Sequence, residues 1–157
     1  RAAPIFETHY EAQSGLSAEI YLGVEEGLTV FRASGLALAC VTNKPRRFTT
    51  PLLERVGLAR YFDAIVCGDD VAKAKPDPAA FIAAAERLRV APSRALVIGD
   101  SANDVIAGRA AGCTVFVVPY GYTEGATIES LAADRVVASL AEAARYVLKT
   151  AVCSNPI

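Results

Sequence analysis

The segment ALVIGDSAND, residues 95–104, passes from an apolar run through a glycine into a polar turn and then into a helical pattern. Its first four residues show no polar alternation, which is typical of a parallel strand covered by helices on both faces. The apolar runs at 36–41, 64–67 and 114–118 have the same character, and a weaker run lies at 135–138. These runs predict five strands of a parallel sheet.

Helical patterns occupy the intervals between the strands. We expect helices over residues 23–33, 49–56, 78–88, 103–111 and 140–148. Strands and helices that alternate with short turns favour right-handed crossovers, and hence an α/β fold with an open, doubly wound parallel sheet. No helical periodicity continues beyond residue 148, so the segment after it is expected to form a loose tail.

The composition excludes several classes of protein. Hydrophobic residues make up 53% of the 157 residues and charged residues 21%, which excludes a disordered chain. The net charge is -1, so no general attraction to nucleic acid or to an anionic membrane is expected, and no apolar run is long enough to cross a membrane. The four cysteines form no C-x-x-C pair and His9 is the single histidine, which favours reduced thiols in a cytoplasmic protein over a zinc centre.

Polar residues follow the predicted strands, and the ligands of an open parallel sheet bind beyond the carboxyl ends of its strands. Thr42 and Asn43 follow the first strand, and Asp100 and Asp104 follow the third. A hydroxyl and backbone N–H groups at a strand exit can hold phosphate oxygens, although an ordinary Ser/Thr turn has the same residues. Two nearby carboxylates favour a divalent cation, Mg²⁺ in particular, although Asp104 can equally cap the next helix.

Lys75 lies between these two strand exits, in the loop segment AKPDP at 74–78. A residue before proline is biased to extended geometry, which can aim its side chain inward, and an ammonium group there would balance a phosphate beside carboxylates. An ordinary exposed lysine is the alternative, and Lys73 is a second candidate for the role. Together, the hydroxyl, the ammonium and the paired carboxylates predict a site for phosphate and Mg²⁺. Neither a G-x-G-x-x-G nor a P-loop motif occurs, so dinucleotide and P-loop sites have no support.

This order of motifs resembles the haloacid dehalogenase-like phosphohydrolase superfamily, and within it the bacterial phosphoglycolate phosphatases. The segments that carry the resemblance are LACVTNKP at 38–45, FDAIVCGDD at 62–70, KPDP at 75–78, VIGDSAND at 97–104 and YGY at 120–122. The resemblance implies a Rossmann-like core and an enzyme that hydrolyses a small phosphorylated metabolite, 2-phosphoglycolate, to glycolate and phosphate through an aspartyl-phosphate.

The resemblance also implies a role for each matching residue. Thr42 and Asn43 would bind the phosphoryl group, and Lys75 would bind it and steady the nucleophile, so that Thr42 and Lys75 are the catalytic residues among those present. Asp100 would hold Mg²⁺, with Asp104 ligating it directly or through water. Such an electrostatic clamp suits phosphoryl transfer.

One motif of that superfamily is missing. Its nucleophile lies in a D-x-D-G-T element on an N-terminal strand, whereas none of the seven aspartates here begins a D-x-D. Because the chain also opens at Arg1 and contains no methionine, we expect it to be the C-terminal part of such an enzyme, without turnover of its own. The expected organisation is a remnant of a helical cap and linker at 1–20, the phosphatase core at 21–148 and a tail at 149–157.

In that superfamily the missing strand lies at the centre of the sheet, between the strands that here end at Thr42 and Asp100. Its loss would leave a slot of about 9–10 Å, two strand spacings, and unpaired backbone on both sides of a buried slot is unfavourable. We therefore expect direct pairing of those two strands, filling by residues 1–20, or a strand supplied by a partner chain.

Two other functions stay open at this point. The first is a non-catalytic module that binds phosphate or Mg²⁺ and forms a homodimer through its exposed sheet edge. The second is a receiver-type signalling domain, which also places Asp, Thr and Lys at strand exits. It would need an acidic pair after the first strand, where Thr42 and Asn43 stand here.

Overall fold

The computed structural model describes residues 19–120 and 130–153. Within these ranges, helices and strands alternate along the chain. The helices are α1 Val24–Ala33, α2 Arg46–Arg55, α3 Ala79–Arg87, α4 Ala102–Ala110 and α5 Leu140–Cys153, and the strands are β1 Ala39–Val41, β2 Ala64–Val66, β3 Leu96–Gly99, β4 Thr114–Val117 and β5 Arg135–Val136. Each expected helix and strand is present, although some of them begin or end at other residues than expected. None of the helices described is long and apolar enough to span a membrane.

The start of α2 differs from the sequence expectation. The helix begins at Arg46 rather than at Thr49. The carbonyl of Pro45 accepts the backbone N–H groups of Phe48 (3.0 Å) and Thr49 (3.1 Å), so the first turn forms directly after this proline. The apolar pattern did not reveal that turn because its first residues are arginines.

The end of α5 also differs, since the helix continues past residue 148 to Cys153. The Thr150 hydroxyl donates to the carbonyls of Tyr146 (3.1 Å) and Val147 (2.9 Å) in the last turns. Helical hydrogen bonding propagates at low cost once a helix has formed, so these turns need no apolar stripe. Most of the expected cap remnant, residues 1–18, and the last four residues of the expected tail lie outside the described residues.

The strands form two parallel sheets. β1 pairs with β2, with Ala39 opposite Ala64, and the second sheet has the order β3-β4-β5. All three pairings are parallel, as predicted. Of the three arrangements expected for the slot between the strands that end at Thr42 and Asp100, direct pairing is wrong, because β1 and β3 share no ladder. Residues 1–18, which would fill the slot in the second arrangement, lie outside the described residues. The Lys75 ammonium bridges the exits of the two strands, as described below.

Apolar side chains cover both faces of β4 and join the two sheets. Val115 and Val117 pack into a buried cluster that α3 and α4 cover, whereas Phe116 and Val118 pack into a second cluster that α1 and α5 cover. Val41 of β1 packs against the first cluster. The two sheets therefore share a hydrophobic core although they share no hydrogen-bond ladder.

An ionic cluster fastens α2 and α3 to the end of β2. The Asp70 carboxylate accepts hydrogen bonds from the Arg46 guanidinium, from Arg87 (3.3 Å) and from the backbone N–H of Cys67 (3.0 Å). Arg46 and Arg87 also donate to the carbonyl of Ile65. These donors, Arg46 first, hold the pKa of Asp70 well below its usual range.

Asp70→Asn is expected to lower the free energy of unfolding by about 1–2 kcal/mol at neutral pH, since it weakens charge-assisted hydrogen bonds to partly solvated arginines. A carboxyl group whose pKa is lower in the folded protein than in the unfolded protein stabilises the fold fully at any pH above its pKa in the unfolded protein, about 3.9. It loses that contribution as the pH falls toward the folded value. Urea unfolding of the unsubstituted protein and of Asp70→Asn should therefore show that the difference in their free energies of unfolding becomes smaller as the pH is lowered. A difference that stays constant would contradict this role of Asp70.

Candidate active site

The exit of β1 carries the first site residues. The backbone N–H of Thr42 donates to the Val66 carbonyl (2.9 Å), so pairing with β2 continues up to the turn. The Thr42 hydroxyl accepts the backbone N–H of Lys44 (3.1 Å), which is the Ser/Thr turn that the sequence left open. A hydroxyl that accepts a hydrogen bond still has its own proton to donate. The turn and a phosphate contact are therefore compatible at Thr42.

Asn43 reaches across to the loop that carries Lys75. Its carboxamide oxygen accepts the backbone N–H of Lys75, and its carboxamide nitrogen donates to the Lys75 carbonyl, both at 2.9 Å. Each contact uses one donor or acceptor position of the carboxamide, whose nitrogen carries a second N–H. The Asn43 side chain therefore holds the Lys75 loop at this site.

Lys75 joins the two sheets through its side chain. Its ammonium donates to the Val41 carbonyl at the end of β1 (3.2 Å) and to the Asp104 carboxylate in the first turn of α4 (2.7 Å). The side chains of Lys75 and Asp104 are 10% and 7% exposed, so this is a buried ion pair. Lys73, the other lysine of the loop, is exposed. The structure thus brings the exits of β1 and β3 together around one ammonium group.

Asp104 caps α4 and holds Lys75 at the same time. Its Oδ2 accepts hydrogen bonds from the backbone N–H groups of Asp100 (3.1 Å) and Ser101 (3.2 Å) and from the Ser101 hydroxyl (2.8 Å). Burial raises the pKa of Asp104, but Lys75 and Ser101 outweigh burial, so the pKa lies below its usual value. Oδ1 of the Asp104 carboxylate accepts one hydrogen bond, from Lys75, and Oδ2 accepts three. A metal contact of Asp104, directly or through water, stays a prediction.

Gly99 leaves room for this arrangement. A Cβ at position 99 would lie 2.3 Å from the Cβ of Asp104, so only glycine fits between β3 and the capping carboxylate. Gly68 after β2 has the same role, since its Cβ would lie 2.2 Å from the carbonyl oxygen of Asn43. Sequence reasoning did not single out these two residues. A glycine at the end of an apolar strand is the signal of such a close approach.

Asp100 is the exposed carboxylate of the site. Partial burial, followed by the charge of Asp104, raises the pKa of Asp100 above its usual value. A divalent cation would relieve this repulsion, and Mg²⁺ needs few carboxylates because it keeps several waters. The described residues contain no group of three or more His, Cys, Asp or Glu side chains able to hold a metal. A Mg²⁺ at this site would therefore take most of its ligands from water and substrate rather than from protein side chains.

Two tyrosines stack where the chain leaves β4. The rings of Tyr21 and Tyr120 have their centroids 4.5 Å apart. Burial, followed by the charge of Asp100, raises the pKa of Tyr120. Gly121 and Tyr122, the rest of the YGY segment, lie outside the described residues.

Comparison with known proteins gives a consistent result. The family model for haloacid dehalogenase-like hydrolases matches residues 2–112. A phosphoglycolate phosphatase of Nitrosospira multiformis is 47% identical over 150 residues, which cover 96% of this chain and 66% of that protein. A phosphoglycolate phosphatase of Thiobacillus denitrificans is 49% identical over 149 residues, which cover 95% of this chain and 66% of that protein.

A solved structure shares the fold. The crystal structure of a predicted phosphoglycolate phosphatase from Haemophilus somnus superimposes with a TM-score of 0.86 at 30% sequence identity, covering 90% of this chain and 63% of that one. The chain therefore spans 66% or less of the length of these three relatives. Because the family model matches more than half of the sequence, the chain belongs to the haloacid dehalogenase-like hydrolase family.

Proposed function

We propose that this chain forms part of a Mg²⁺-dependent phosphoric monoester hydrolase whose substrate is 2-phosphoglycolate. The observation that carries the proposal is the Lys75 ammonium, which lies between the Val41 carbonyl at the exit of β1 and the Asp104 carboxylate at the exit of β3. A buried cation between the strand exits that carry Thr42 on one side and Asp100 and Asp104 on the other suits a phosphate ester with its Mg²⁺. Support for the substrate comes from two relatives that are named phosphoglycolate phosphatases.

Each residue has one task in this proposal. The Thr42 hydroxyl and the Asn43 backbone N–H donate hydrogen bonds to phosphoryl oxygens, and Lys75 balances part of the charge of a phosphate monoester, about -1.5 to -2 at pH 7. Asp100 ligates Mg²⁺, which polarises a phosphoryl oxygen when it is bound. Asp104 holds the ammonium of Lys75 in place. Because these groups are fixed before the substrate arrives, they need little reorganisation as charge develops during transfer.

We also propose that the 157-residue chain binds phosphate and Mg²⁺ without turnover. Transfer of a phosphoryl group to an aspartate needs a carboxylate that is free to attack. At this site the carboxylate of Asp104 is paired with Lys75, and Asp100 is assigned to the metal. No aspartate in the sequence begins a D-x-D. These observations favour the non-catalytic binding module as the behaviour of this chain by itself.

The test combines binding and turnover measurements on the 157-residue chain. Isothermal titration with inorganic phosphate and Mg²⁺ should show binding, and incubation with 2-phosphoglycolate should release no phosphate. Asp100→Asn should weaken Mg²⁺ binding by at least about tenfold. Asp134→Asn is the matched control, since Asp134 accepts the backbone N–H of Val115 (2.8 Å) near the opposite end of β4. Absence of phosphate binding would refute the site, and sustained release of phosphate would refute the lack of turnover.

A further inference from the structure

Asn43 holds the backbone of Lys75 at both of its polar groups. The carboxamide oxygen accepts the Lys75 N–H and the carboxamide nitrogen donates to the Lys75 carbonyl, each at 2.9 Å, across a sequence separation of 32. The paired contacts also fix which end of the carboxamide is the oxygen. If the oxygen and nitrogen were exchanged, the NH₂ group would face the Lys75 N–H and the oxygen would face the Lys75 carbonyl. One side chain thus clamps one residue of another loop.

The loop around Lys75 has few backbone hydrogen bonds of its own within the described residues. Residues 71–78 form no helix or strand, and the internal backbone bond of this loop runs from the Asp77 N–H to the Ala74 carbonyl (3.1 Å). In the described ranges, Asn43 is the partner of both backbone polar groups of Lys75. The position of the Lys75 backbone therefore depends on a side chain from the exit of β1.

Asn43 is itself held firmly. The backbone N–H of Gly68 donates to the Lys44 carbonyl (3.2 Å), and the Asn43 carbonyl packs so closely on Gly68 that a Cβ there would come within 2.2 Å. The exit of β2 thereby fixes the turn that carries Asn43. The clamp thus extends from the sheet through Asn43 to Lys75.

We propose that Asn43 is a positioning residue, which sets the backbone of Lys75 so that the ammonium reaches both the Val41 carbonyl and the Asp104 carboxylate. The proposal rests on the proposed function of Lys75 as a phosphate-binding group. It gives the carboxamide of Asn43 a task at the lysine, in addition to the backbone N–H that Asn43 offers to a ligand.

The chemistry of the clamp requires asparagine. A backbone N–H and C=O of one residue need an acceptor and a donor side by side, which a carboxamide supplies and a carboxylate does not. Glutamine has the same carboxamide on a stem that is longer by one methylene, so it would push the Lys75 loop away from β1. Lysine itself has a long, flexible side chain, and fixing its backbone limits where the ammonium can go.

The experiment measures amide hydrogen exchange at Lys75 by NMR and binding of inorganic phosphate with Mg²⁺ by calorimetry, both on the 157-residue chain. Asn43→Ala is expected to speed exchange of the Lys75 amide by about tenfold or more and to weaken phosphate binding by about tenfold, the effect of losing one or two hydrogen bonds. Thr42→Val should weaken phosphate binding but leave the exchange of the Lys75 amide unchanged.

The matched control is Asp63→Ala. Asp63 also ties a side chain to a neighbouring backbone, since its carboxylate accepts the Leu38 N–H (2.9 Å) at the far end of β1. The Asp63→Ala substitution is expected to lower the free energy of unfolding without changing the exchange of the Lys75 amide or the affinity for phosphate. Unchanged Lys75 exchange in Asn43→Ala, or a loss of phosphate affinity no larger than in Asp63→Ala, would overturn the proposal. If the unsubstituted chain binds no phosphate, the proposed function fails, and the exchange rate still decides whether the clamp exists.

Discussion

Lys75→Met is expected to lower the free energy of unfolding by about 3 kcal/mol and to weaken phosphate binding by at least about 30-fold. The substitution keeps an unbranched side chain but removes the ammonium, so the Asp104 carboxylate, 7% exposed, loses its counter-charge inside the protein. Removing one partner of a buried ion pair typically costs about 3–5 kcal/mol. The lower figure applies because Ser101 and the Asp100 backbone still donate to Asp104.

Lys73→Met is the matched control, because it removes the same charge from an exposed position in the same loop. It should change the free energy of unfolding by less than about 0.5 kcal/mol. The double variant Lys75→Met/Asp104→Asn should be more stable than Lys75→Met alone, since an amide needs no counter-charge. Urea unfolding and phosphate titration measure these effects. A Lys75→Met protein as stable as Lys73→Met would show that the buried pair does not stabilise the fold.

Gly68→Ala is expected to cost about 3 kcal/mol and to weaken phosphate binding, although alanine suits the backbone there. The new Cβ would lie 2.2 Å from the carbonyl oxygen of Asn43 and 2.8 Å from its carbonyl carbon. Overpacking usually costs about 1–3 kcal/mol, and the upper end applies because both contacts are backbone atoms that no rotamer change can move. The turn after β1 must shift, and the clamp on Lys75 shifts with it.

Gly57→Ala separates this clash from the ordinary cost of replacing a glycine. Gly57 has a φ of +72 and no atom within 4 Å of its would-be Cβ, so alanine there brings only backbone strain, about 1 kcal/mol. Thermal unfolding should give Gly68→Ala a clearly lower melting temperature than Gly57→Ala. Phosphate titration should show a loss of phosphate affinity in Gly68→Ala alone. Equal stability of the two variants would mean that the approach of Asn43 to Gly68 is not tight.

The sequence predicted the strands of this fold well because strands buried on both faces carry an uninterrupted apolar signal. The run at 114–118 shows why, since alternate side chains of β4 enter two different buried clusters. The sequence left three arrangements open for the slot between β1 and β3, and of these the direct pairing is wrong. Pairing of β1 with β3 depends on contacts between distant segments, and the Lys75 side chain at that junction comes from a loop with no apolar pattern at all.

The neighbourhood of the site was predictable because the carboxyl ends of parallel strands follow from topology alone. The Ser101-to-Asp104 cap was also predictable, since capping is a local interaction between residues three apart. The different contacts of the Asp100 and Asp104 carboxylates were not predictable, because they depend on which of the two meets Lys75. The Asn43 clamp was not predictable either, since it joins a side chain to a backbone 32 residues away, and no local pattern encodes such a contact. The catalytic roles of Thr42 and Lys75 and the metal-binding roles of Asp100 and Asp104 stay predictions.

The contact between Lys75 and the Val41 carbonyl has a consequence for aggregation. An open strand edge invites pairing with other chains, and natural proteins often place a lysine where it prevents this. β1 has β2 on one side, and its last carbonyl accepts the Lys75 ammonium. A foreign strand that approached this end of β1 would meet a positive charge on an acceptor already in use. The Lys75 ammonium therefore removes one hydrogen-bond acceptor from the open edge of β1 at its carboxyl end.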